Sequence, residues 1–319
     1  MRNLRRRLIT GLILGFIVIL VLALLGDIQQ VGDHLTEFTW YLAPIILACT
    51  LFNYTLRFFK WHFYLAQIGI HDLPWRESAR LFVAGFPLAV TPGKIGEALK
   101  GVWLNRVAGS PTARGITVVL AERISDGFAV LALSTLGVIA YPKYWPAFVI
   151  VLGVLLLGVF LSQIRPLALA VLDWIDRLPL LQHIAHHLRE FYEGTYILFR
   201  PRATLFAVSL GTLAWLGEGV GMYLVLIGLG IPSGLETFSL AIFVLSFSTV
   251  VGAVSTLPGG LVAAEASIAG MLGLLMGLPT STAVAATLLI RFATLWFGVT
   301  LGLGVWAVSK DLLFMEERD

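Results

Sequence analysis

Seven ionisable residues stand inside stretches of the sequence that are otherwise apolar. They are Glu97, Glu122, Arg123, Asp126, Glu218, Glu265 and Arg291. A charged side chain in hydrocarbon costs about 2.5–3.5 kcal/mol on insertion scales, so such a residue usually has a partner and a function. Carboxylates and guanidinium groups in this setting bind charged substrates or carry protons. These residues are therefore the first candidates for a functional site.

Helical spacing predicts how the two arginines are paired. Arg123 and Asp126 are three residues apart, so on a helix Asp126 is expected to orient Arg123, a contact that can also be purely structural. Arg291 has no acidic residue within one helical turn. We therefore expect its partner to come from another segment, with Glu265 and Glu218 as the candidates.

Two proline-glycine sequences interrupt apolar stretches. We call Pro92-Gly93, which Lys94 follows, the first break, and Pro258-Gly259-Gly260 the second break. Backbone N–H groups that follow such a break attract anions, together with the helix dipole. A guanidinium group binds the same phosphate through two hydrogen bonds, whereas lysine acts as a point charge. Each break with Arg123 or Arg291 thus outlines a headgroup site, although proline and glycine also kink membrane helices without such a role.

The composition of the chain places these residues in a membrane. Of 319 residues, 58% are apolar and 13% are charged, about half the charged share of a soluble domain. Stretches of roughly 20 apolar residues cross a bilayer, and six are predicted, at 8–26, 41–56, 116–141, 146–163, 203–228 and 283–308. We therefore predict an all-α polytopic membrane protein that forms a single integral membrane domain over 1–319.

The stretches around the two breaks are too short or too interrupted for ordinary spans. We interpret 81–107 and 238–277 as re-entrant helical hairpins, with two full spans as the alternative for 238–277. A shift of 168 residues aligns Glu97 with Glu265, Gly109 with Gly277, and Arg123 with Arg291. This match predicts a first repeat unit at 40–141 and a second, inverted unit at 203–309. Paired broken segments of this kind commonly flank a transporter's substrate site.

The distribution of lysine and arginine predicts the orientation. The N-terminus, 57–114 and 165–202 are rich in these residues, whereas 228–282 contains none. Because positively charged loops stay in the cytoplasm, both termini are predicted to lie there, in a bacterial or archaeal inner membrane. The segment 165–202 is interpreted as a cytoplasmic amphipathic helix pair. Arg57, Lys60 and Trp61 are predicted at the inner interface, where anchoring is expected for Lys60 and substrate contact is equally expected for Arg57.

Taken in order, these motifs resemble the lysylphosphatidylglycerol synthase transmembrane family, the flippase-like region of multiple peptide resistance factor that also occurs in stand-alone proteins. The resemblance rests on Arg57-x-x-Lys60-Trp61, Pro92-Gly93-Lys94-Ile95-Gly96-Glu97, Glu122-Arg123-x-x-Asp126, Pro258-Gly259-Gly260-Leu261, Glu265 and Arg291. It runs from about the second predicted span to the C-terminus. Lys60 stands where the family pattern has arginine, and Val262-Ala263-Ala264-Glu265 stands in place of Gly-x-x-Glu. The headgroup is therefore left open.

The resemblance implies a lipid flippase or scramblase that moves an aminoacylated or other polar, possibly anionic phospholipid. The residues of these motifs, with Glu218, are its predicted substrate-binding residues. Membrane lipids are the expected partners, with a homo-oligomer or a separate lipid-modifying enzyme as further candidates, and no nucleic acid, metal or cofactor is expected. Because the chain ends eleven residues after Val308, no aminoacyl transfer is expected.

Two other classes of protein stay open from the sequence. Asp27, Asp33 and Glu37 in the first outer segment suggest a polyprenyl-phosphate-linked membrane glycosyltransferase. A transporter of small soluble anions or amino acids is the other alternative. Glu97, Glu218 and Glu265 are each able to carry protons, and the sequence does not select among them.

Overall fold

The computed structural model describes residues 2–91, 96–140, 145–177 and 182–309, and in these ranges the regular structure is entirely helical. The helices are α1 Arg2–Leu25, α2 Ile28–Glu37, α3 Ala43–Gln67, α4 Trp75–Ala84, α5 Leu99–Ala108, α6 Thr112–Ala140, α7 Trp145–Gln163, α8 Arg165–Asp176, α9 Gln182–Leu198, α10 Pro201–Gly228, α11 Leu235–Val254, α12 Ala263–Met276, α13 Thr280–Arg291 and α14 Phe297–Val308. A π-helical turn, Phe292–Trp296, joins α13 to α14.

Several of these helices are long and apolar enough to cross a bilayer. Within the described ranges, five segments meet this criterion, and up to seven do if each of two bent helix pairs is one span. The bends measure 96° between α1 and α2 and 76° between α7 and α8. The predicted all-α polytopic class is confirmed. The predicted pair of amphipathic helices in 165–202 corresponds to α8 and α9.

The predicted end of the second span is wrong. Helix α3 continues to Gln67, whereas the sequence placed the end of the span at residue 56 because Arg57 and Lys60 look like interface residues. Lys60 and Trp61 are both 0% exposed. Trp61 donates its indole N–H to Ser78 Oγ at 3.2 Å. Their interpretation as interface anchors is therefore wrong, since both side chains pack inside the helical bundle.

The regions around the two breaks differ in length. The first break lies outside the described residues, and the helices on either side of it, α4 and α5, have 10 residues each. Such helices are about 15 Å long, half of a hydrocarbon core. Around the second break, Leu235–Val254 and Pro258–Met276 each reach the length of a span. Both alternatives for 238–277 are therefore still open.

The helix boundaries repeat at the spacing that the sequence predicts. Helix α5 ends at Gly109, with φ 66°, and α12 ends at Gly277, with φ 64°. A left-handed glycine is a common helix C-cap because it has no Cβ to clash. After Pro111 and Pro279, helices α6 and α13 begin at Thr112 and Thr280, again 168 residues apart. The division into units 40–141 and 203–309, and their inversion, remain predictions.

Helix α10 lies at the centre of the bundle. It packs against α3, α6 and α11, and α12 packs between α11 and α13. The 3₁₀ turn Phe86–Val90, just before the first break, contacts the second break. A Cβ on Gly259 would lie 3.3 Å from Val90 Cγ1. The second break and the turn that precedes the first break therefore meet inside the protein, beside the site described next.

Candidate functional site

A cavity of about 460 Å³ lies within the helical bundle. Helices α3, α6, α10 and α13 each contribute charged side chains to its wall. The charged residues that line it are Arg57, Glu97, Lys100, Arg123, Asp126, Glu218 and Arg291. Its wall also includes Val254 at the end of α11, which is 68% exposed, so the cavity reaches the molecular surface there. The fold thus collects distant charged residues in one place.

Two arginine–glutamate pairs occupy equivalent positions in the two halves. Arg291 Nε donates a hydrogen bond to Glu265 Oε1 at 2.6 Å, which confirms that its partner comes from another segment. Arg123 Nε lies 3.1 Å from Glu97 Oε2, although this nitrogen has no hydrogen bond to any described group. In both pairs the arginine follows the glutamate by 26 residues. The repeat therefore extends from the sequence pattern to the ion pairs.

The predicted pairing of Arg123 with Asp126 is wrong. Asp126 Oδ1 accepts a hydrogen bond from Lys60 Nζ at 2.5 Å, and its Oδ2 lies 3.6 Å from Arg57 Nη2. Both cations come from α3, which packs against α6. A carboxylate beside two buried cations from another helix is better neutralised than by one local arginine, so the tertiary contact prevails over helical spacing. Asp126 thus ties α6 to α3.

Lys100 is a site residue that the prediction omitted. It is 3% exposed, and its Nζ lies 3.2 Å from Oε2 of Glu122, which is 0% exposed. The ammonium group also lies over the rings of Trp61 and Phe82, with centroid distances of 4.8 and 5.2 Å. Such cation–π contacts stabilise a buried ammonium group. In the sequence, Glu97 and Lys100 fall on the polar side of an amphipathic helix, and this side faces a cavity instead of water.

Glu218 differs from the other carboxylates of the site. It lies on α10, is 5% exposed and lines the cavity. Glu97, Glu122, Asp126 and Glu265 each have a cationic partner. Among the described residues, no side chain forms an ion pair with Glu218. Its candidacy as the partner of Arg291 is not borne out, because Glu265 takes that place.

The backbone of the second break has a different role from the predicted one. Gly260 N–H and Leu261 N–H donate to Leu257 O and Pro258 O, so these two groups are not free for an anion. Arg291 Nη2 instead donates to Gly259 O at 2.9 Å. Arg291 therefore holds the second break in place through a carbonyl group. The side chain is 15% exposed and lines the cavity, where its remaining donors are available to a ligand.

The remaining predicted residues are distributed as follows. Gly259 and Gly260 line the cavity, whereas Lys60, Glu122 and Glu265 lie behind it and pair with residues of its wall or beside it. Trp61 and Pro258 are buried without being part of the lining. Pro92, Gly93 and Lys94 lie outside the described residues. Trp215 was not predicted; it lines the cavity, and its indole N–H has no hydrogen-bond partner among the described residues.

An apolar groove of about 1040 Å³ lies next to the cavity. Arg291, Thr294 and Gly298 face the cavity, whereas Leu289, Phe292 and Trp296 face the groove. These positions belong to the continuous helical segment formed by α13, the π-helical turn and α14. One helix therefore separates a charged compartment from an apolar one. π-Helical turns occur frequently at functional sites.

The fold and this site define a multi-pass α-helical membrane protein with a charged cavity in its interior. The chain belongs to a family described as the lysylphosphatidylglycerol synthase TM region, whose model matches residues 9–302. It is also similar to a UPF0104 membrane protein of Methanothermobacter thermautotrophicus. The two are 25% identical over 295 residues, which cover 82% of each chain. The resemblance inferred from the motifs is thereby confirmed.

Proposed function

We propose that this protein moves a polar lipid, anionic or aminoacylated, across the cytoplasmic membrane. The observation that carries the proposal is the charged cavity, which lies beside an apolar groove along a single helix. An amphiphile has one part that suits each compartment, whereas a small soluble anion would use only the cavity. Arginine binds phosphate through paired hydrogen bonds, and Arg57, Arg123 and Arg291 all line the cavity.

The setting of this transporter is part of the same proposal. The membrane is the cytoplasmic membrane of a bacterium or archaeon, with both termini in the cytoplasm. Membrane lipids are the partners, and a homo-oligomer or a separate lipid-modifying enzyme can accompany the chain. The proposed activity is transport without aminoacyl transfer. Family membership supports this assignment, because the matched family is the membrane region of the synthase.

Reconstitution distinguishes the proposed function from its alternatives. Purified protein in liposomes is given fluorescent phosphatidylglycerol, a polyprenyl-phosphate sugar, or a radiolabelled soluble anion. We expect transbilayer movement of the fluorescent lipid above that of protein-free liposomes, without sugar transfer or anion uptake. Lipid movement at the protein-free rate would reject the proposal, and sugar transfer or anion uptake would replace it with the corresponding alternative.

The acidic residues that suggested a glycosyltransferase lie away from the cavity. Asp27 precedes α2, and its Oδ1 accepts a hydrogen bond from Gln29 N–H at 3.1 Å, so it serves as a helix N-cap. Such a cap stabilises a helix by about 1 kcal/mol. Asp33 and Glu37 are exposed on the same helix, and none of the three lines the cavity. No observation therefore favours the glycosyltransferase over the lipid transporter.

Trp215→Phe tests the cavity as the place where the headgroup binds. The substitution keeps an aromatic ring and removes one N–H donor that has no protein partner among the described residues. We expect unchanged thermal stability and about fivefold weaker binding of phosphatidylglycerol, since one neutral hydrogen bond contributes about 1 kcal/mol. Binding is measured in nanodiscs of neutral lipid. Trp174→Phe, on the exposed surface of α8, is the matched control, and equal affinities in the two variants would place the headgroup elsewhere.

A further inference from the structure

The charged groups of the site do not balance through their ion pairs. Five cations line the cavity or pair with residues at it: Arg57, Lys60, Lys100, Arg123 and Arg291. Their ion-pair partners are four carboxylates: Glu97, Glu122, Asp126 and Glu265. Asp126 serves both Arg57 and Lys60. One positive charge of this set is therefore left over, and Glu218 is the fifth carboxyl group at the cavity.

Glu218 decides the total charge of this set. Ionised Glu218 makes the ten groups neutral, whereas protonated Glu218 leaves them with one positive charge. Charged groups face Glu218 from three packed elements: Arg57 on α3, Asp126 on α6 and Arg291 on α13. Helix α11 also packs against α10, and its only charged residue, Glu236, is exposed at its far end. No described cation is within ion-pair distance of the Glu218 carboxyl group.

A buried carboxylate with a close cation stays ionised, because protonation would leave the cation uncompensated. This applies to Glu97 and Glu265, whose arginine partners lie 3.1 and 2.6 Å away. Glu218 lacks such a partner, so proton binding breaks no ion pair there. Of the three glutamates that the sequence left open as proton carriers, the geometry selects Glu218.

We propose that Glu218 is a proton-binding site whose protonation gives the cavity the positive charge that an anionic headgroup needs. The inference rests on the proposed function and adds that the proton and the anionic lipid bind together. With Glu218 ionised, an anionic headgroup enters a neutral site; with Glu218 protonated, it enters a site with one net positive charge. Linkage makes the effect reciprocal, so the bound anion also favours the proton. A proton gradient can then drive the lipid in the same direction as the proton.

The pH dependence of lipid binding tests this linkage. Affinity for phosphatidylglycerol is measured in neutral-lipid nanodiscs over a range of pH. Because one proton accompanies each headgroup, we expect the affinity of the wild-type protein to fall about tenfold per pH unit above the titration of Glu218. In Glu218→Gln, which is permanently neutral, we expect a high affinity that does not change with pH. Glu236→Gln, at an exposed carboxyl group, is expected to behave as wild type.

Pure phosphatidylcholine is the matched lipid control, since its headgroup has no net charge and its binding should not follow Glu218. A wild-type affinity that is flat with pH, or an equal slope in Glu218→Gln, would overturn the proposal.

A second measurement does not depend on lipid transport. Infrared difference spectra of the protein between high and low pH report the carboxyl groups that gain a proton. We expect a protonated-carboxyl band in the wild type and in Glu236→Gln that is absent from Glu218→Gln. If the liposomes show no lipid movement but this band is present, the proposed function fails and the proton site stands. If the band persists in Glu218→Gln, the proton site is wrong.

Discussion

Asp126→Asn is expected to destabilise the protein by about 3–5 kcal/mol, the usual cost of removing one partner from a buried ion pair. The substitution keeps the size of the side chain and removes its charge. Lys60, which is 0% exposed and lies 2.5 Å from Asp126, then becomes a buried cation without a counterion. Arg57 loses the same partner, but it lines the cavity. The measurement is thermal or denaturant unfolding in detergent.

The cause of that loss is separable by a second substitution. Lys60→Met removes the buried cation, so adding it to Asp126→Asn is expected to recover at least half of the lost stability. Replacing both members of a buried pair by uncharged groups is often nearly neutral. Asp33→Asn, at an exposed position on α2, is the matched control and should change stability by less than about 0.5 kcal/mol. If the double variant is less stable than Asp126→Asn alone, the charge is not the cause.

Arg291→Lys is expected to slow lipid movement at least tenfold while the protein still inserts and folds. Arg291 reaches Glu265 with Nε and Gly259 O with Nη2 at the same time. An ammonium group keeps the charge but does not reproduce this fork. Losing one charge-assisted hydrogen bond costs about 1.5–3 kcal/mol, so the second break is no longer held against α13. The reconstituted lipid assay, at matched protein amounts, measures the effect.

The equivalent substitution in the first half should have a smaller effect. Arg123 makes an ion pair with Glu97 without a described hydrogen bond at Nε, and its side chain is 33% exposed against 15% for Arg291. Arg202→Lys, at an exposed residue in the first turn of α10, is the control and should leave the rate unchanged. Full activity in Arg291→Lys would mean that the fork has no part in transport.

Much of the fold was predictable because hydrophobic length and glycine-proline signals are local properties of the sequence. The turns Gly109–Pro111 and Gly277–Pro279 end and restart helices at the expected positions. The pair Glu265–Arg291 was predictable for a different reason. Arg291 has no local acid, and an intramembrane arginine requires one. The sequence therefore limited its partner to very few residues.

The errors share one physical cause, which is that polar residues next to apolar stretches look as if they face water. Lys60 seemed to mark the end of a span, yet α3 continues past it and Asp126 neutralises it. Lys100 and Glu97 seemed to lie on the outer side of a short helix, yet both are buried at the cavity. Local spacing does not reveal an internal cavity, because the cavity forms only when distant helices pack.

The ion pairs of the site also bear on the order in which the chain enters the membrane during synthesis. Among the described buried pairs, Arg57–Asp126, Lys60–Asp126, Lys100–Glu122 and Arg123–Glu97 all lie before residue 141, and Glu265–Arg291 lies after residue 203. None joins the two parts. The N-terminal part can therefore neutralise its intramembrane cations before the rest of the chain has left the ribosome. Later helices then dock onto a partner that is already electrically satisfied, and no arginine or lysine of these pairs waits unpaired in lipid for a carboxylate that has not yet been synthesised.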